Sequence, residues 1–148
     1  MQKRIAVMAL MGGLLLGWGT TQAAPVTAQA SHTISRAYRG KWYGNHQIWT
    51  LKRHSLTTNY RGRVFTIKGK QLSTTTHRGW HIWGVTGTDN DVIVKRVTRQ
   101  INGHRRTVLM EYAAGLPAYA PYKVLYYTRH AGDKHQALAG QILTGPYA

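Results

Sequence analysis

Alternation of apolar and polar residues predicts β-strands along the chain from Gly40 onward. Runs rich in β-branched and aromatic side chains are bounded by glycine, asparagine or proline, the pattern of short strands joined by turns. About eight strands are predicted, at 40–46, 47–53, 63–68, 71–76, 79–85, 92–101, 104–112 and 123–130. Because no helical period separates them, we expect an all-β antiparallel meander, closed into a small barrel that removes its edges.

Two turn sequences predict hairpins. Asn102-Gly103 favours a type I′ turn, whose central residues both need positive φ, between the sixth and seventh strands. Gly69-Lys70 predicts a second tight hairpin, between 63–68 and 71–76. The C-terminal stretch 133–143 leaves two alternatives open, a short helix with Asp133 as its N-cap or a ninth strand.

The first thirty residues have the pattern of a secretory signal peptide. Lys3 and Arg4 precede a run of apolar residues, and small residues follow that allow cleavage after Ala23 or after Ala30. The chain contains no cysteine, as expected for a bacterial export product and not for a disulfide-stabilised one. We therefore expect a secreted protein with a lead-in at 31–38, a single domain at 39–148 and no membrane span downstream.

Charge indicates the class of partner. Removal of the leader takes away Lys3 and Arg4 and lowers the formal net charge from +16 to +14. All eight histidines lie beyond the leader, so the charge rises further as pH falls through about 6.5. A chain of this charge is expected to bind polyanions such as wall teichoic acid, acidic polysaccharide or, without sequence specificity, nucleic acid.

The Asn102-Gly103 hairpin predicts an anion-binding ribbon. Its two-residue turn sets Arg99 opposite Arg106, a costly pair of like charges unless the face meets an anion. The alternative is that these long side chains extend into water. The candidate anion-binding residues are Lys95, Arg96, Arg99, His104, Arg105 and Arg106.

Aromatic and basic residues are interleaved in two further stretches. Trp80 and Trp83 fall on opposite faces of one strand, which predicts that one indole is buried and the other is free to stack on a sugar or base. The alternative is that both are packed in the core. Arg61 and Arg63 complete this candidate stacking set.

The segment Gly40-Lys41-Trp42 resembles the Gly-x-Trp motif that opens the first strand of lipocalins and their calycin relatives. The resemblance implies that Trp42 closes the barrel and that a basic residue of the last strand, here Arg129, packs over it. With its Arg39-Gly40-Lys41-Trp42-Tyr43 start, the chain also resembles small basic secreted proteins of lactic acid bacteria. That resemblance implies a fold type and a compartment, and no activity.

Catalytic patterns are weak in this sequence. The four acids form no convincing carboxylate pair, and a nucleophile elbow and cysteine are lacking. His77 and His81 are too far apart on a strand to chelate a metal, so we expect neither metal nor cofactor. The function expected is a non-enzymatic module held at the cell surface by charge, and the alternative is a lipocalin-like carrier of a small apolar ligand.

Overall fold

The computed structural model describes residues 30–113 and 120–147, so the predicted leader lies outside the described residues apart from Ala30. Within these ranges the chain forms strands and short 3-10 helices, and it contains no helix long and apolar enough to cross a membrane. The strands are β1 (Gly40–Gly44), β2 (Gln47–Lys52), β3 (Ser55–Tyr60), β4 (Arg63–Lys68), β5 (Leu72–His77), β6 (Trp80–Val85), β7 (Asp91–Ile101), β8 (His104–Tyr112), β9 (Tyr122–Thr128) and β10 (Ala139–Ile142). The 3-10 helices are η1 (Arg36–Tyr38), η2 (Gly69–Gln71) and η3 (Ala131–His135).

All strands belong to one antiparallel sheet with the order β4-β3-β2-β1-β9-β8-β7-β6-β5, and β10 pairs with β9. Consecutive strands pair with each other except β4 and β5, and the two halves of the meander join where β1 pairs with β9. The predicted all-β antiparallel meander is confirmed.

The hairpin predicted at Gly69-Lys70 is wrong. Residues 55–60 form a strand that the sequence pattern did not predict, and this strand pairs with β4, while β5 pairs with β6. Leu56 of the added strand lies opposite both Leu51 and Ile67, which gives it an apolar reason to pair. Strands β4 and β5 therefore become the two edges of the sheet, and no ladder joins them in the described residues.

The sheet is strongly curved and encloses an inner core. Ile67 of β4 and Leu72 of β5 belong to the same buried cluster, so the two edges approach each other although they are not paired. The largest members of this cluster are almost wholly removed from solvent: Trp42, Trp49, Trp83 and Tyr127. The result is a barrel-like sheet with a seam between β4 and β5 and an interior occupied by large side chains.

The predicted lead-in contributes to this core. Ile34 and Tyr38 are buried in the inner cluster, and the backbone N–H of Ile34 donates to the carbonyl of Arg53 at 2.8 Å. Ser31 pairs with Thr74 on β5 through two backbone hydrogen bonds of 2.9 and 2.7 Å. The segment therefore spans from the β5 edge to the β2–β3 turn.

A second cluster lies on the outside of the sheet. It includes Trp80, Met110 and Tyr126, and Leu138 packs against it from the C-terminal segment. Of the two alternatives for this segment, the strand is the better one, because β10 follows the single short turn of η3. Asp133 is not the predicted N-cap but the third residue of η3, and it is buried.

Candidate anion-binding surface

The β7–β8 hairpin has the predicted register. Arg99 lies opposite Arg106, and Gln100 lies opposite Arg105. Asn102 and Gly103 have φ angles of 51° and 77°, the positive values that a type I′ turn requires. Turn chemistry alone was sufficient to place every cation of this hairpin correctly along the ladder.

The six candidate anion-binding residues do not form one surface. Because side chains alternate between the faces of a strand, Lys95, Arg99, His104 and Arg106 point outward with the outer cluster. Arg96 and Arg105 point to the opposite face. The Arg96 guanidinium donates to the carbonyl of Ala37, near η1. The structure therefore separates the predicted set into an outward group of four and an inward pair.

Within the outward group, Arg106 is already paired. Its Nη1 lies 2.7 Å from Oδ2 of Asp133, a side chain only 4% exposed. Asp133 also accepts hydrogen bonds from the hydroxyl of Thr128 at 2.5 Å and from the amide of Gln136 at 3.3 Å. The Arg106 charge is thus compensated inside the protein, and we remove Arg106 from the set of free anion-binding cations.

The other carboxylates lie away from most of the cationic surface. Glu111 points into the barrel and accepts a hydrogen bond of 2.6 Å from the hydroxyl of Tyr127. Burial raises the pKa of Glu111, although this hydrogen bond opposes the rise. Burial raises the pKa of Asp91, and the negative charge of Asp89 in the same turn adds to the rise.

A cleft of about 450 Å³ lies on the outer face, between β6–β7 and the C-terminal tail. Three cations line it: Arg78 from the β5–β6 turn, and Lys95 and Arg99 from β7. The Lys95 ammonium lies 5.8 Å from the centre of the Trp80 ring. Since none of the lining residues is acidic, the cleft concentrates positive charge.

Two parts of this cleft were missed by sequence reasoning. Arg78 belongs to a different hairpin from the predicted ribbon, and the opposite wall is the tail segment 141–145. The interleaving of basic and aromatic residues around Trp80 was the available signal for Arg78. The tail carried no comparable signal, because its position depends on the pairing of β10 with β9.

Of the two alternatives for Trp80 and Trp83, the structure bears out the second, in which both are packed, and the prediction of one exposed indole is wrong. Trp80 and Trp83 do face opposite sides, but they are only 3% and 1% exposed, because the C-terminal segment covers the outer side of the sheet. Arg61 and Arg63 lie in the β3–β4 hairpin, and Arg61 lies 5.3 Å from the ring centre of Tyr60. The partly exposed aromatic ring next to these arginines is therefore a tyrosine.

The barrel-closing residues come together as predicted. The Arg129 guanidinium lies 3.6 Å from the centre of the Trp42 ring and donates to the carbonyl of Lys41 at 3.2 Å. The indole N–H of Trp42 donates to the carbonyl of Tyr38 in η1 at 2.7 Å. Burial lowers the pKa of Arg129, and the nearby positive charge of Arg96 contributes to the shift.

Two further clefts differ in chemistry. One, of about 420 Å³, is lined by Arg106, Thr107, Arg129 and His130. Its two arginines already have partners, because Arg106 is paired with Asp133 and Arg129 packs on Trp42. The other, of about 350 Å³, is lined by the hydroxyl groups of the lead-in and β5 together with His81. Burial lowers the pKa of His81, which favours its neutral form. Neither cleft brings together unpaired cations as the outer-face cleft does.

Comparison with family models, with curated proteins and with solved structures finds no match to this chain. Within the described ranges, no group of three or more histidine, aspartate or glutamate residues is placed to hold a metal ion. Function is therefore inferred from the side chains and their geometry.

Proposed function

We propose that this protein is a secreted, non-enzymatic binding module that positive charge retains at the bacterial cell surface. Its ligands are anionic polymers such as wall teichoic acid or acidic polysaccharide. One observation carries the proposal: with 20 basic residues and four acids in the chain, the described residues contain a single ion pair between an arginine and a carboxylate, Arg106–Asp133.

The placement of the acids strengthens this argument. Glu111 and Asp133 are withdrawn from the surface, and Asp89 and Asp91 lie close together where β7 begins. The surface elsewhere carries lysine and arginine without nearby carboxylates. Its field extends over roughly a Debye length, about 8–10 Å at physiological salt, and attracts polyanions before any specific contact is made.

The packed interior disfavours the lipocalin-like carrier. Trp42, Trp49, Trp83 and Tyr127 occupy the space in which an apolar ligand would have to reside. The two tryptophans of β6 present no free face on which the bases of a nucleic acid could stack. Export rests on the leader pattern, and cell-surface retention follows from the charge.

Sedimentation with purified bacterial cell walls tests the proposal. The protein lacking residues 1–30 is mixed with intact walls and with walls stripped of teichoic acid, across a salt series. We expect binding that weakens steeply with salt and is largely lost on stripping, because screened charges contribute little. Binding should strengthen between pH 7 and pH 5 as histidines become protonated.

Other outcomes would contradict this function. Binding that is insensitive to both salt and stripping would indicate a neutral sugar ligand. Absence of binding to either wall preparation at low salt would overturn charge-driven retention. A low-molecular-weight passenger found by native mass spectrometry would then favour the carrier.

A further inference from the structure

The outer-face cleft offers more than diffuse charge. Arg78, Lys95 and Arg99 come from two different hairpins, and the fold brings them to one side of a groove. The Lys95 ammonium lies next to the β5–β6 turn, since it is 5.8 Å from the centre of the Trp80 ring and a Cβ added to Gly79 would lie 3.6 Å from it. The groove therefore has a cationic wall that includes the β5–β6 turn.

The opposite wall is neutral. It consists of the tail segment 141–145, with the Gln141 amide, the Thr144 hydroxyl and the apolar side chains of Ile142 and Leu143. Arg99 is only partly satisfied, because it donates to the carbonyl of Thr98 at 3.0 Å and has further N–H groups to offer. A ligand in this groove meets cations on one side and neutral hydrogen-bonding groups on the other.

From this arrangement we infer that the cleft binds a chain of phosphodiester groups, an inference that rests on the proposed function and names its ligand class. Lys95 and Arg99 are four residues apart on one strand and thus about 13 Å apart, so they engage separate groups of an extended polymer. Arg78 directly precedes Gly79, the glycine that the Lys95 ammonium approaches, so these two cations can bind one group from different chain segments.

Phosphate suits this geometry better than carboxylate. The two oxygens of a carboxylate are coplanar and match one guanidinium fork. The oxygens of a tetrahedral phosphate point in several directions, so one group can accept from a guanidinium and an ammonium that approach from different chain segments. The Trp80 ring is covered, so sugar rings gain no stacking here. Recognition therefore depends on the anionic backbone of the polymer.

A pair of matched triple variants tests the site. In the cleft variant Arg78, Lys95 and Arg99 are changed to Gln, and binding of inorganic polyphosphate is measured by titration calorimetry across a salt series. We expect affinity at least about tenfold below that of the unmodified protein, with a shallower salt dependence, because fewer phosphates are neutralised. Thermal unfolding of the variant checks that the fold is retained.

The control variant changes three exposed lysines to Gln: Lys52, Lys68 and Lys70. Lys52 and Lys68 both flank Ser55 in the ladder, so the control also removes a local group of cations and changes the net charge equally. We expect its affinity for polyphosphate to fall by less than about threefold. We expect a polyglutamate chain of equal charge to bind the unmodified protein more weakly than polyphosphate does. The difference in affinity between the two triple variants should also be smaller for polyglutamate.

Each outcome has a distinct meaning. Equal losses in both triple variants would overturn the cleft while leaving charge-driven binding intact. If the unmodified protein binds polyphosphate and polyglutamate with equal affinity and the cleft variant loses both, the preference for phosphate would be overturned. Failure of the unmodified protein to bind either polymer at low salt would overturn the proposed function itself.

Discussion

Position 40 requires a glycine because an arginine from another part of the chain lies against it. Its φ angle of +110° is one that side chains rarely adopt, and a Cβ there would lie 2.5 Å from Nη1 of Arg129. The guanidinium can lie over the Trp42 ring only because the backbone at Gly40 leaves that space open. The resemblance to the Gly-x-Trp motif thus has a local physical cause in this molecule.

Gly40→Ala is expected to lower the free energy of unfolding by about 1–3 kcal/mol from backbone strain, with a further loss from displacement of Arg129. Gly62→Ala is the matched control, because Gly62 also has a positive φ, of +84°, but no atom lies within 4 Å of its added Cβ. Urea unfolding of both variants measures the difference. Equal losses would mean that the close approach of Arg129 contributes nothing.

Glu111 is a second residue whose environment has a measurable consequence. Burial raises its pKa, so the folded protein holds the Glu111 proton more tightly than the unfolded chain. The resulting stabilisation is complete below the ordinary glutamate pKa of about 4.3. It is lost as pH rises through the raised value.

Glu111→Gln is expected to remove this pH dependence while keeping an oxygen that accepts from Tyr127. The free energy of unfolding of the unmodified protein, relative to that of the variant, should fall as the pH is raised from about 4 to neutrality. Urea unfolding at a series of pH values provides the measurement. Parallel curves for the two proteins would contradict the raised pKa. Tyr127→Phe should steepen the dependence, because it removes the donor that favours the carboxylate.

At the scale of elements, the ion pair between Arg106 and Asp133 connects β8 to η3. Arg106→Gln is expected to destabilise the fold by about 3 kcal/mol, because it leaves the buried Asp133 carboxylate without its cation. Arg99→Gln, directly opposite on the ladder and exposed, makes the same charge change and should cost less than about 0.5 kcal/mol. Thermal unfolding of the two variants, side by side, measures the contrast, and similar midpoints would show that the ion pair is not structural.

Local turn chemistry explains which elements could be predicted from the sequence. The Asn102-Gly103 turn fixes its own register, so each residue of β7–β8 was placed opposite the right partner. Gly69-Lys70 has a similar composition but forms η2, which joins the two edges of the sheet. Strand β3 has a weak apolar alternation, and its existence depends on pairing with β2 and β4. Such pairing between strands is not visible in the local sequence pattern of β3.

The same limit applies to the outer face. Alternation placed Trp80 and Trp83 on opposite sides of β6, but it could not reveal that β10 and the tail cover the outer side. Those segments dock through pairs such as Ala139 with Leu125, far apart in sequence. The lead-in likewise showed no pattern that would bury Ile34. Elements at the chain ends are placed by the shape of the finished sheet, which short-range patterns do not encode.

For the whole molecule, fold class and charge could be predicted from composition and periodicity, whereas the candidate site could be predicted only in part. Lys95 and Arg99 were among the predicted anion-binding residues, but Arg78 and the tail wall come from other elements. The pairing of Arg106 was hidden because Asp133 lies 27 residues away along the chain. A site made from several elements requires the tertiary arrangement before its members can be recognised together.

The open seam between β4 and β5 affects how copies of this protein behave together. An uncovered sheet edge invites edge-to-edge association, and β4 also exposes Val64 and Phe65 by 63% and 55%. Mutual repulsion between highly charged copies opposes that association in free solution. A polyanion that neutralises the charge would remove the barrier and hold neighbouring copies side by side. Occupancy of one long polymer would then become cooperative, with each bound molecule favouring the next along the chain.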